Sequence, residues 1–395
     1  MPLSFVHLSD IHFGQEKGGD LVIHDDVKDC LIDDAVEQIA QHANGETSGI
    51  TVSGDVAYGG KSEEYKKAGE WLDKLAATLG CPKTAVQIVP GNHDIDRDGI
   101  SSGCKLMLDE ILNEGEQKLD RYLEAEVDRE SLYGRFRYYR PFAEGYNCPL
   151  DPHGRFVSDR TFNLAPGRKL RFIGLNSALI CTAKDLEGRL LLGARQRVLP
   201  RVSPGEELVV LCHHPLHWLM DSADARAYVR KRARVFVSGH EHKPDLQLET
   251  ISDGCDLMML ASGATVPPKA DDTYRYTYNV IIFDIKDDAL AVTIIPRVWN
   301  DVEKEFELDK DMLKGRGQTF VLGCPNFVRA SGKKSAAPAV NIKADDDVAD
   351  PVPAASDTVS VGVETVAANF PEVLLRFFRD LTPMERLTVL IKMED

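Results

Sequence analysis

VQIVPGNHDIDRDG, residues 86–99, is the stretch on which the fold turns. A short apolar run stops at a Pro-Gly break, and an amide, an imidazole and a carboxylate follow at once as Asn92, His93 and Asp94. Polar groups directly past a strand end belong to α/β sheets, where ligands gather outside the carboxyl ends of strands. Other runs end the same way. SFVHLS (4–9) leads into Asp10-x-His12, and GITVSG (49–54) into Asp55. ELVVLCH (207–213) ends in His213-His214-Pro215, and RVFVSGH (234–240) in His240-Glu241-His242. A sixth run, LRFIGLN (170–176), carries no such groups.

These runs are nearly continuous in apolar residues, as expected for strands covered on both faces. Helical spacing lies between several of them. Residues 25–42 place Val27, Leu31, Ala35 and Ile39 four apart, and residues 62–79 begin at a Ser62 cap and stop before Gly80. Strand and helix in alternation predict an α/β layered sheet. Residues 103–146 read as a charged helical insertion. YRYTYNVIIFDI and ALAVTIIP, within 273–297, read as an antiparallel pair at the sheet edge. From 330 to 365 the chain is rich in Ala, Pro, Ser, Asp and Val without a period, a flexible linker. Helical spacing resumes over 366–395. The expected division is a catalytic domain at 1–329, the linker, and a short C-terminal helical tail.

Composition narrows the class. Hydrophobic residues make up 43% and charged residues 28%, as in a globular protein. No apolar run approaches the ~20 residues of a membrane span, so no membrane association is expected. The N-terminal MPLSFVHLSDIHFG lacks a basic segment and a small-residue cleavage site. Eight cysteines without a C-x-x-C pair read as reduced and mostly buried. Both observations predict a cytoplasmic chain. A formal charge of −16 argues against a general grip on duplex DNA.

Imidazoles mixed with carboxylates and an amide suit Mn, Fe, Zn or Co better than calcium, which prefers oxygen cages. There are too many candidate ligands for one ion. A bridging carboxylate lets two ions sit about 3.5–4 Å apart, the arrangement of two-metal phosphoryl chemistry. Glycines before Asp55, Asn92 and His240 let the backbone turn tightly enough to aim each side chain inward. Singly, each piece is weak: D-x-H is common surface chemistry, G-N-H-D can be a turn, and His213 and His214 can be satisfied core histidines.

The ordered series D-x-H, G-D, G-N-H-D, H-x-P, G-H-x-H resembles that of the calcineurin-like metallophosphoesterase superfamily, across roughly residues 4–300. The resemblance implies a four-layer α/β/β/α sandwich with a dinuclear centre. Residue by residue, it implies one ion on Asp10, His12, Asp55 and His242, and another on Asp55, Asn92, His213 and His240. Manganese is the expected metal, with iron, zinc, nickel or cobalt as alternatives. His213 fits the H-x-P position better than its neighbour His214. His93 resembles the family's non-ligand histidine, which contacts the phosphate and protonates the leaving oxygen. Asp94 is then expected to orient His93 by accepting a hydrogen bond, the alternative being a turn cap. GDVAY also matches a purple acid phosphatase element in which the tyrosine binds iron. That branch lacks a histidine at the position of His12, so Tyr58 is read as supporting or packing.

The implied activity is hydrolysis of a phosphate ester by a metal-bridging hydroxide. YGRFRYYRPFAEGY (133–146) interleaves Arg135 and Arg137 with tyrosines, so arginines can meet phosphates and rings can stack on bases. The alternative is an amphipathic helix packing its aromatics on the core. Arg97 is another candidate phosphate contact, against a plain surface charge. These features lean toward a phosphodiester in a nucleotide or nucleic acid, as in a nuclease or cyclic-nucleotide phosphodiesterase. The alternatives are a phosphomonoesterase on a nucleotide or phosphoprotein, and a scaffolding protein acting through its tail. Residues 366–395 faintly resemble helical adaptor modules of bacterial effector enzymes, which implies a protein partner or self-association.

Overall fold

The structure, a computed structural model, describes residues 1–16, 20–252, 254–267 and 274–330, with Phe377, Leu381, Arg386 and Val389. The linker expected at 330–365, apart from Ala330, and most of the tail expected at 366–395 lie outside the described residues.

Among the described residues thirteen strands form two sheets: β1 (Leu3–Leu8), β2 (Gly49–Val52), β3 (Val86–Ile88), β4 (Ser158–Ala165), β5 (Arg168–Gly174), β6 (Glu206–Leu211), β7 (Ala233–Ser238), β8 (Asp245–Ser252), β9 (Cys255–Ala261), β10 (Thr277–Lys286), β11 (Ala289–Asn300), β12 (Glu305–Leu308) and β13 (Thr319–Leu322). The first sheet runs β12-β11-β10-β1-β2-β3, with β13 also on β11, and the second runs β4-β5-β6-β7-β9-β8. β1, β2 and β3 are parallel, as are β5, β6, β7 and β9. The sheets face one another across an aromatic core. Phe5 of β1 and Phe283 of β10 meet Phe162 of β4 and Phe172 of β5, with ring centroids 4.9–6.0 Å apart.

Helices cover the outer faces. They are α1 (Asp20–His42), α2 (Ser62–Thr78), α3 (Ser102–Glu114), α4 (Glu116–Glu124), α5 (Glu126–Tyr133), α6 (Tyr139–Gly145), α7 (Ala194–Arg197) and α8 (Ser222–Arg232). α1 buries Val27, Leu31, Ala35 and Ile39, the residues that its spacing singled out, and packs on β10 and β12. α8 packs on β6 and β7. Helix, sheet, sheet and helix make the expected four layers. The insertion is α3–α6, joined to α2 by Tyr65 against Phe142 and by the Tyr146 hydroxyl donating to Asp73.

Two local expectations are corrected. Lys61, not Ser62, is the N-cap of α2, because Glu64 folds back and its carboxylate accepts the Lys61 N–H at 2.9 Å. The β10–β11 hairpin is not at the sheet edge. β10 pairs with β1 in the interior, and the twelve-residue β11 is long enough to carry two short strands outside it. β12 lies along its C-terminal half and β13 along its N-terminal half.

Candidate metal centre

Five loops meet at the carboxyl ends of β1, β2, β3, β6 and β7, three from one sheet and two from the other. Asp55 lies at their centre. Its Oδ2 is 3.3 Å from His12 Nε2 and 3.3 Å from His213 Nε2, and its Oδ1 accepts the His93 N–H at 2.8 Å. His213 Nε2 is also 3.1 Å from Asn92 Oδ1. On the other side, His242 Nε2 is 3.2 Å from Asp10 Oδ1, and the His240 N–H donates to Asp10 Oδ2. Asp10, His12 and His242 form one cluster with candidate ligand atoms within 4.8 Å of one another; Asp10, Asp55 and His213 form another.

The imidazoles are aimed from behind. The Nδ1 of His213 donates to the Ser53 carbonyl at 2.8 Å, and the Nδ1 of His12 to the Val266 carbonyl at 3.4 Å. A carbonyl only accepts, so Nδ1 carries a proton in either ring and Nε2 is the nitrogen turned to the carboxylates. His214 is turned away, its Nδ1 2.8 Å from Ser177 Oγ. It is His213 whose Nε2 reaches Asp55 and Asn92, although His214 lies close enough to group with His213 and His240.

The backbone bends to make this possible. Asp10, His12, Asp55, His240 and His242 all hold φ between 52° and 75°. Side-chain-bearing residues avoid this region unless the surroundings impose it, and such strain gathers at functional sites. The preceding glycines matter for a different reason than expected. Gly54 does adopt φ +100, but Gly91 and Gly239 are needed for space. A Cβ on Gly91 would lie 2.1 Å from Asp55 Oδ1, and one on Gly239 2.0 Å from Ser9 Oγ.

The donor set fits divalent cations. Two carboxylates, an amide oxygen and four imidazoles converge, and buried Asp10 Oδ1 meets the His242 imidazole at 3.2 Å without the geometry of a sound hydrogen bond. Without a cation the charges lean on each other. Burial pushes Asp55 up, yet His213 and His12 outweigh it and hold the carboxylate well below its ordinary range. Burial likewise disfavours charge on His213, but Asp55 and Asp10 overcome it and lift the imidazole to about 9. Burial, reinforced by charge on His213, lowers His240 to about 4.

His93 stands beside this cluster, half-buried, its ring 4.9 Å from that of His12. Its Nδ1 donates to the Tyr58 carbonyl at 2.7 Å. The expectation that Asp94 orients His93 is therefore corrected. Asp94 is buried, and its carboxylate accepts the N–H groups of Gly91, Val56 and Ala57 and the Tyr65 hydroxyl. It ties the Asn92 loop to the Asp55 loop, the turn-cap alternative extended over two loops. Arg97 stays at the site, its Nη2 donating to the Asn92 carbonyl at 3.2 Å.

Arg135 does not reach the site. It is 1% exposed and donates to the carbonyls of Leu132, Leu179 and Cys181. Arg137 donates to Asp96 beneath the Asn92 loop. Tyr133, Tyr139 and Tyr146 are core residues, so this face of the insertion is packing, as an amphipathic helix on a core would be. The sequence reading missed Trp218 and Glu241. Trp218 lies edge-on to His240 with centroids 4.1 Å apart, and its indole N–H donates to Glu241. The only local signal was their position beside His214 and His240.

The YydB protein of Bacillus subtilis, an uncharacterized metallophosphoesterase-like protein, is 23% identical over 319 residues, 76% of this chain and 60% of that protein. The chain thus spans less than two thirds of that relative. Among solved structures, sulfate thiohydrolase SoxB of Thermus thermophilus is 13% identical over 79% of this chain and 59% of that one, with a TM-score of 0.35. A Vps29 variant from Entamoeba histolytica is 12% identical over 77% of this chain and 97% of that one, at 0.33. Overlaps this loose carry no argument. The calcineurin-like phosphoesterase model, however, matches residues 3–244 of the 395, and the chain belongs to that family.

Proposed function

We propose that this chain is a two-metal phosphoesterase whose substrate is a phosphodiester. The observation that carries the reading is the convergence of Asp10, His12, Asp55, Asn92, His213, His240 and His242, five of them on left-handed backbone, around the Asp55 carboxylate. Asp10, His12, Asp55 and His242 would hold one cation, and Asp55, Asn92, His213 and His240 the other. When bound, two such cations polarise a phosphoryl group and acidify water.

The chain's own groups do the rest. His93, with Nδ1 engaged by Tyr58, keeps Nε2 for a proton exchanged with the leaving oxygen. Arg97 stands beside Asn92, placed for a phosphoryl oxygen. A diester is the favoured ester because exposed Tyr58 beside His93 and Trp218 beside His240 offer rings to a second organic arm that a monoester lacks.

The test is hydrolysis of bis-(p-nitrophenyl) phosphate and of p-nitrophenyl phosphate by the full chain with manganese. Diester turnover that exceeds monoester turnover and disappears in Asp55→Ala is the expected result. Preference for the monoester would replace the reading with a phosphomonoesterase, and no turnover of either with any divalent cation would overturn it.

A further inference from the structure

With Arg135 buried in the fold and Arg137 paired with Asp96, recognition of the ester's organic arms is better sought elsewhere. Arg140 faces Glu130, Arg160 reaches the carbonyls of Thr84, Val86, Tyr146 and Asn147, and Arg195 and Arg197 pair with Asp120, Glu124, Glu116 and Asp221. Guanidinium groups so engaged do not form a phosphate track, and the formal charge is −16. A long polyanion draws its affinity from such a track. The rim of the centre instead carries rings.

Tyr58 is 41% exposed. Its ring stacks on His93 at 5.2 Å and 25°, and stands edge-on to His12 at 6.1 Å. Trp218 borders the other side, edge-on to His240. The indole is set before any ligand arrives, because Glu241 Oε1 accepts from both Trp218 Nε1 at 3.2 Å and His217 Nε2 at 2.8 Å. Tyr274 lies edge-on to His242 at 5.8 Å. The outward imidazoles are thus each bordered by an aromatic ring. Such rings bind planar groups of any base identity and give an aliphatic arm little.

We infer that the substrate is a small nucleoside phosphodiester whose base stacks on Tyr58, with Trp218 as the second wall of the mouth. This rests on the phosphodiesterase reading above for the direction in which the leaving arm runs, past His93 and so past Tyr58. A base carried there needs no arginine track, which fits a dinucleotide-sized ester rather than a long strand.

The experiment compares three diesters with the manganese-loaded full chain: a dinucleoside monophosphate, glycerophosphocholine and a long single-stranded oligonucleotide. It also compares binding of adenosine 5′-monophosphate with that of glycerol 3-phosphate. Each is repeated in Tyr58→Leu and Tyr58→Phe, whose backbone carbonyl still holds His93, with metal content measured throughout. Expected are a kcat/KM about tenfold or more higher for the dinucleoside than for glycerophosphocholine, collapse of that ratio in Tyr58→Leu, and retention in Tyr58→Phe. The dinucleoside is also expected to outpace the oligonucleotide per phosphodiester bond. An unchanged ratio in Tyr58→Leu, an equal loss for both small diesters, or preference for the long strand would overturn the inference. If no ester turns over yet the adenosine nucleotide binds more tightly and Tyr58→Leu removes that advantage, the hydrolytic reading falls while base recognition stands. Equal binding of the two monophosphates would sink base recognition itself.

Discussion

The Nδ1 of His93 donates to the carbonyl oxygen of Tyr58 at 2.7 Å, and the two rings stack at 25°. A carbonyl cannot donate in return, so the proton on Nδ1 is fixed and Nε2 is the working atom of His93. Replacing His93 by Ala should leave metal content unchanged and lower kcat by about 100-fold or more. The loss should be larger for an alkyl leaving group than for p-nitrophenolate, which departs without a proton. Full activity in a metal-replete His93→Ala would remove the acid role.

Gly91 is a matter of space. A Cβ there would lie 2.1 Å from Asp55 Oδ1 and 2.5 Å from the Asp55 nitrogen. Gly91→Ala should therefore displace the shared carboxylate, costing about 2 kcal/mol of stability by overpacking. Metal analysis of the purified variant should show less than the wild-type content of divalent cation. Wild-type loading would mean that the loops can separate without consequence.

Arg135 supports the fold. Its guanidinium bridges α5 and the Leu179–Cys181 turn through three carbonyls, and removing it leaves those acceptors buried and unpaired. Arg135→Met should lower stability by about 3 kcal/mol, read by denaturant or thermal unfolding. The fraction that folds should keep its KM. A raised KM with unchanged stability would return Arg135 to the substrate.

His213 sets a pH dependence. Burial opposes its charge, but Asp55 lifts it to about 9, from 6.5. In the metal-free chain it is then protonated at neutral pH. The ion pair contributes stability that is complete below about pH 6.5 and lost as pH rises through about 9. A cation needs the neutral imidazole, so binding expels that proton and apparent affinity climbs with pH up to about 9. Calorimetric manganese titrations at pH 7.5, in buffers of different ionisation enthalpy, should register proton release. Binding with no proton exchanged would contradict it.

Much of the centre was legible because its cause is local. Each candidate follows a strand within a few residues, so the positions of Asp10, His12, Asp55, Asn92, His213, His240 and His242 were legible in the chain, the family resemblance marked them out as candidate ligands, and the structure brings them together. Runs of apolar residues likewise announced the strands that carry them. What one chain segment says about another was not legible. Arg135 looked like a phosphate hand because its carbonyl partners at Leu179 and Cys181 lie more than forty residues away. Asp94 looked like a partner of its neighbour His93, but its acceptor atoms are filled by Val56, Ala57 and Tyr65. The hairpin β10–β11 looked peripheral because nothing within it shows that β1 pairs with β10, some 270 residues away. Amino-acid order by itself determined which groups stand at strand ends. Tertiary structure alone decided which of them touch, because a hydrogen bond or a close glycine contact depends on distance in space.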